Sequence, residues 1–265
     1  MEDLMRAARR PYRREKQPRR VILLRLLCVF AGCSLAVLLL RSPSLGAFLE
    51  SQEEPLVPSQ VLDVPFIDQR DKYPTGCESV TAVMALRWAG VDISVEEFID
   101  DYLPQGEAPH YDEMGNYVGA DPWEKFLGSP YSEQGWGCYA PVIVQAVEQV
   151  LEDRGITRLE TRLLQDVELS TLLEEYVEKE IPVMVWATID METPVDSTEF
   201  FLEDTGELFT WIYPLHCLLL TGADEEHYFF NDPLVGKNTA YGKDQVEIAY
   251  RGVGMQAVAV VPVKE

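Results

Sequence analysis

Positive charge is scarce in most of this chain. Beyond residue 50 there are 12 Lys/Arg against 41 Asp/Glu, a net −29, whereas residues 1 to 50 hold 10 basic and 4 acidic groups. A surface so poor in cations cannot neutralise phosphates, which excludes nucleic acid as a partner. Histidine is scarcer still: His110, His216 and His227 are the only three, so any imidazole base must be one of them. Of five cysteines, Cys28 and Cys33 fall in an apolar run, leaving Cys77, Cys138 and Cys217. An odd number outside a cell leaves at least one thiol unpaired or shared between chains. The chain has no internal repeat. What it does have is 47% hydrophobic content over 265 residues, ample for a packed core and too much for a disordered tail.

Long apolar runs are limited to "VILLRLLCVFAGCSLAVLLL", Val21 to Leu40, ending at Arg41 and preceded by the basic "RAARRPYRREKQPRR". Twenty helical residues reach about 30 Å, one hydrocarbon thickness. Arg25 lies one turn from the basic end, where its side chain can snorkel to the headgroups. The charge asymmetry follows the positive-inside rule. The expectation is a basic cytoplasmic segment over 1–20, a transmembrane signal anchor over 21–41, a linker over 42–60 and an extracytoplasmic domain over 61–265. The small residues of "SPSLGA" offer a cleavage site; the length of the run and its distance from the N-terminus favour an uncleaved, single-pass anchor in the cell membrane.

Within the domain, "VLDVPFI" reads as a short strand. The turn "DKYPTG" then leads into a helix, "CESVTAVMALRWAG", with Val80, Val83, Met84 and Trp88 at helical spacing and Gly90 as its stop. Ser94 and Glu97 occupy capping-box positions of a second helix. Residues 104 to 140 are irregular but aromatic, an ordered loop region that either walls a substrate groove or covers the core. "PVIVQAVEQVLEDRG" and "STLLEEYVEKE" read as amphipathic helices; "IPVMVWATI", "LHCLLLTGA", "YFFNDP" and "MQAVAVVPV" read as strands. Helices first and strands later argue an α+β domain, early helices packed on a mainly antiparallel sheet.

A cysteine at a helix start has its thiolate favoured by free backbone N–H groups and the helix dipole, so the thiol of Cys77 is expected to be acidic. His216 lies near the start of an apolar strand, where an imidazole needs a reason to be tolerated. Asn231 or Asp232, at the end of the next strand, could orient it, and a hairpin would bring Asp232 back beside His216. Gln69 could donate to an oxyanion together with the Cys77 N–H. Each residue also has a plain structural reading, as a small buried thiol, a satisfied core imidazole or a turn; it is their order, Gln, Cys, His, Asp, that points to a thiol hydrolase.

The segments "VPFIDQRDKYPTGCESVTAVMALRWAG", "DPWEKFLGSPYSEQGWGCYAPVI", "IPVMVWAT" and "HCLLLTGADEEHYFFNDPLVG" resemble, in order, the C39-like family of papain-like cysteine peptidases, over about residues 60 to 263. The resemblance implies a papain-like fold, a membrane-anchored or secreted protein of Gram-positive type, Cys77 as nucleophile, His216 as base, Asp232 as orienting residue and Gln69 as oxyanion donor. The chain differs from the leader-processing peptidases of that group in its wider spacing from Gln69 to Cys77 and in having no transporter segments beyond one anchor. The expected activity is cleavage of a peptide or related amide bond in a peptide or protein substrate, with no metal or organic cofactor. Two alternatives use the same fold: an idle binding module at the cell surface and an acyl transferase. Cys138 and Cys217 either form a disulfide or pack as thiols, packing being favoured because a bridge beside a catalytic thiol invites exchange.

Overall fold

The computed structural model describes residues 61–263. The expected membrane segment and linker lie outside the described residues, among which no helix is long and apolar enough to cross a membrane. In chain order the elements are α1 (Cys77–Trp88), α2 (Val95–Glu97), β1 (Gln105–Gly106), β2 (His110–Tyr111), β3 (Tyr117–Gly119), β4 (Phe126–Leu127) and α3 (Ala140–Asp153). These are followed by β5 (Leu159–Gln165), α4 (Leu169–Glu175), β6 (Val183–Thr188), β7 (Val195–Leu202), β8 (Leu208–Tyr213), β9 (Leu215–Ala223), β10 (His227–Asp232), β11 (Gly236–Gly242), α5 (Lys243–Gly252) and β12 (Gln256–Pro262).

Six strands form the central sheet in the order β11-β10-β9-β6-β12-β5, antiparallel at every pairing. Every residue of β6 is buried, so both faces of the sheet are covered at its middle; α1 and α5 both pack against this strand. The mixed α/β arrangement expected from the order of patterns is therefore present, with the early helices on a sheet made by the second half of the chain.

Helix α1 is less amphipathic than its spacing suggested. Residues Cys77 through Leu86 are all buried, Ser79 and Thr81 included, and the Thr81 hydroxyl donates to the Cys217 carbonyl at 3.1 Å, joining the helix to β9. A buried hydroxyl without such a partner would cost free energy. Gly90 stops the helix as expected: at φ +80° it takes the left-handed conformation that costs glycine least, and Val91 N–H closes back on the Leu86 carbonyl at 2.9 Å. Ser94 caps α2 by accepting the Glu97 N–H at 3.0 Å, but α2 is one turn, continued by a π-helical turn at Phe98–Tyr102.

Several local expectations need correction. "VLDVPFI" is extended but forms no strand: Pro65 removes a ladder donor, and only single bonds reach the sheet, from Leu62 N–H to Thr221 O at 2.8 Å and from the Asn231 amide to Val64 O at 3.1 Å. The region from 104 to 140 holds four short strands. Two of them, β2 and β3, join β7 and β8 in a second sheet ordered β2-β3-β7-β8. Strands β5, β7, β8 and β11 and helix α5 were not foreseen; β7 and β11 carry mostly exposed or half-exposed residues, and so lack the apolar run that marks β6 or β9.

Candidate active site

Cys77 is the first residue of α1, and Gly76 immediately before it is held by closeness: a Cβ there would stand 2.9 Å from the Tyr73 Cβ. The Tyr73 carbonyl accepts the Gly76 N–H at 2.9 Å. The residue before the helix, a glycine, offers no side-chain cap. Cys77 is 7% exposed and lines a cleft of about 360 Å³ whose walls also include Gln69, Gly135, Trp136, Trp211 and His216. Part of that wall, Glu133 to Trp136, comes from the aromatic loop region. Trp136 and Trp211 meet edge to face there, centroids 5.5 Å apart.

His216 and Asp232 are brought together by the β9–β10 pairing. Both are 1% exposed, and His216 Nε2 lies 2.9 Å from Asp232 Oδ1. The second oxygen of Asp232 accepts the Tyr241 hydroxyl at 2.6 Å, and Oδ1 also accepts the Leu234 N–H at 2.9 Å. Burial works against an ionised Asp232, but His216, Tyr241 and the Leu234 N–H outweigh it and hold the carboxyl below the usual range. Tyr241 is correspondingly pushed up, by burial first and then by the carboxylate. With Nε2 committed to Asp232, the other ring nitrogen of His216, Nδ1, is buried and has no hydrogen-bond partner among the described residues. Asn231 faces elsewhere, its amide donating to Val64 O and its oxygen accepting the Asn238 N–H at 3.0 Å.

Gln69 is buried on the cleft wall. Its Nε2 donates to the Tyr73 and Pro74 carbonyls, both at 3.2 Å, and its backbone N–H donates to Pro233 O at 3.0 Å, tying the loop before Cys77 to the turn after Asp232. The amide donors are thus spent on shaping the approach to the helix.

The sequence reading missed Glu78 and Tyr241. Glu78 is 1% exposed; its Oε2 accepts the Cys77 S–H at 3.3 Å and its Oε1 accepts the Cys138 N–H at 3.0 Å. A charged side chain directly after the cysteine, in a helix whose next eight residues carry no charge, was the available signal. The expectation of an acidic thiol also needs correction. Burial pushes the Cys77 thiol well up, and the Glu78 carboxyl adds to the rise, while the Cys217 backbone N–H acts in the opposite sense.

Cys138 and Cys217 are free, buried thiols. His110 and His227 pair with Glu107 and Asp224 at 3.4 and 3.3 Å and line no part of the cleft. Glu107, His110 and Glu203 place their ligand-type atoms within 4.8 Å of one another, but the two carboxylates are exposed, and exposed acidic groups gather commonly without a metal.

A cysteine at a helix start, facing a cleft shared with a carboxylate-bound histidine from the sheet, sits within a sequence whose residues 61–258 match the model of the Peptidase_C39 like family. The chain belongs to that family. Among its relatives, the uncharacterized protein YvpB of Bacillus subtilis (strain 168) is 27% identical over 201 residues, 75% of each chain. A Bacillus anthracis protein assigned as a C39-like peptidase has a solved structure similar to this one: TM-score 0.65, 22% identity, 77% of this chain and 98% of that one. A looser likeness, TM-score 0.43 and 13% identity over 79% of this chain and 96% of the other, is to a double glycine motif protease from an AMS/PCAT transporter in complex with the leader peptide. The Bacillus anthracis likeness shows a shared fold; the chemistry of this chain rests on its own site.

Proposed function

We propose that this chain is a cysteine peptidase of papain-like fold, held to the membrane by residues 21–41 and acting outside the cytoplasm on a peptide or related amide. Membership of the C39-like family supports a peptidase-like hydrolase; the membrane placement rests on the apolar run and its basic flank. The observation that carries the catalytic reading is His216: Asp232 takes Nε2, fixing the ring, Nδ1 has no hydrogen-bond partner among the described residues, and the residue lines the same cleft as Cys77.

In this reading the Cys77 sulfur attacks the substrate carbonyl carbon while its proton passes to His216 Nδ1. Asp232 balances the imidazolium charge. The tetrahedral oxyanion accepts the Cys77 N–H, and a Gln69 N–H once one of its two long bonds to the loop carbonyls opens. Collapse breaks the C–N bond and His216 returns the proton to the departing amine; a water then gives a proton to the same nitrogen as it attacks the thioester, the C–S bond breaks, and the sulfur takes that proton back.

A peptidyl electrophile, such as a chloromethyl ketone, tests this. The full-length protein should be labelled at Cys77, with the rate about 100-fold or more lower in His216→Ala. Equal labelling of the two proteins would refute the catalytic pair and favour the surface binding module, a reading to which the buried, Glu78-bonded thiol lends some support.

A further inference from the structure

Glu78 is a buried carboxyl to which the peptidase reading gives no duty. Four titratable groups face it: Cys77 beside it on α1, Cys138 ahead of α3, and His216 and Cys217 on β9. Burial outweighs its other contacts and pushes the carboxyl up, although the Cys138 N–H and its own backbone N–H both point at it and favour the charged form. The slot that holds it is cut to shape. Gly137, at φ +123°, has no room for a side chain: a Cβ would fall 2.5 Å from Glu78 Oε1. The thiol proton goes to this carboxyl and not to the imidazole, while His216 Nδ1, the acceptor the chemistry calls for, has no partner among the described residues.

We propose that Glu78 is a positioning residue that keeps Cys77 at rest: its Oε2 takes the S–H bond until an occupied cleft turns the sulfur to His216 Nδ1. In the resting state the proton stays on sulfur, so nothing is ionised or transferred. On turning, the S–H bond breaks, the proton joins Nδ1, the electron pair stays on sulfur, and Glu78 keeps the Cys138 N–H. A thiol so held resists stray electrophiles and oxidants, which attack thiolates. This inference rests on the peptidase reading, since it regulates the same sulfur.

The test is iodoacetamide labelling of Cys77 against pH, followed by mass mapping of its peptide, in the full-length protein and in Glu78→Gln. Glutamine keeps an oxygen for the Cys138 N–H and turns an amide N–H toward the sulfur. The labelling curve should move at least about one pH unit lower, a gain of roughly tenfold near neutrality. An unchanged or higher midpoint would overturn the proposal. Should the variant not fold, the S–H stretch of the wild type minus Cys77→Ser decides: a band shifted by hydrogen bonding is expected, and an unshifted or missing band overturns it. The two ideas fail separately. Peptidyl labelling that ignores His216 removes the peptidase; labelling that needs His216 beside an unmoved Glu78→Gln curve removes only the resting contact.

Discussion

Replacing Tyr241 by Phe deletes one hydroxyl and with it the 2.6 Å bond to Asp232 Oδ2. Asp232 is almost fully buried, so water does not substitute freely, and a hydrogen bond to a charged group contributes about 1.5–3 kcal/mol. With a urea slope of about 2 kcal/mol/M, the midpoint at pH 7 should fall by roughly 0.7–1.5 M. The pH dependence gives the sharper check. Asp232 has a folded pKa below its unfolded value, so its contribution is present above the unfolded pKa of about 3.9 and fades as pH drops through the folded one. Losing Tyr241 raises the folded pKa toward the unfolded value; the stability difference should be full at pH 6–7 and shrink below about pH 4. Urea unfolding of both proteins across pH 3–7 reads this directly. A difference under about 0.5 kcal/mol at pH 7, or one undiminished in acid, would refute the view that Tyr241 braces an ionised Asp232. Peptidyl labelling should also slow, because a less firmly held carboxylate orients His216 less well.

Other substitutions probe the frame around the site. Gly222→Ala would put a Cβ 2.9 Å from the Val61 Cα, a backbone atom that cannot swing aside; a loss of about 1–3 kcal/mol is expected in thermal unfolding, and none would show that residues 61–64 are not seated on β9. Trp186→Phe removes the 2.8 Å bond from Nε1 to the buried Cys138 carbonyl. It should cost about 1–3 kcal/mol in urea unfolding, and, because the Cys138 N–H holds Glu78, should also change iodoacetamide labelling of Cys77.

Much of the central sheet was legible because its strands are buried on both faces and read as plain apolar runs, as in "IPVMVWATI" and "MQAVAVVPV". The pairing of His216 with Asp232 followed from two adjacent strands and a short turn, a local inference. What stayed hidden depends on partners distant in sequence. Strand β7 alternates weakly and is stabilised by β3 and β8, and α5 has a buried face of only Val246, Ala249 and Tyr250. The thiol's acidity was misjudged for a similar reason: the helix start is a local property, whereas burial and the Glu78 slot are built by Gly137 and Cys138 some sixty residues later. Gln69 showed where the loop is, but not that both its donors would already be taken.

The bond from Gln69 N–H to Pro233 O joins segments at the site that are far apart in the chain, and that separation has a consequence in time. Cys77 leaves the ribosome 139 residues before His216 and still further ahead of Asp232 and Tyr241. At about 5–20 residues per second the delay is on the order of 10 s. Throughout it the sulfur has neither His216 nor the strand that carries it, so on the proposed peptidase reading a chain emerging beside many other nascent proteins would have no means of cutting them.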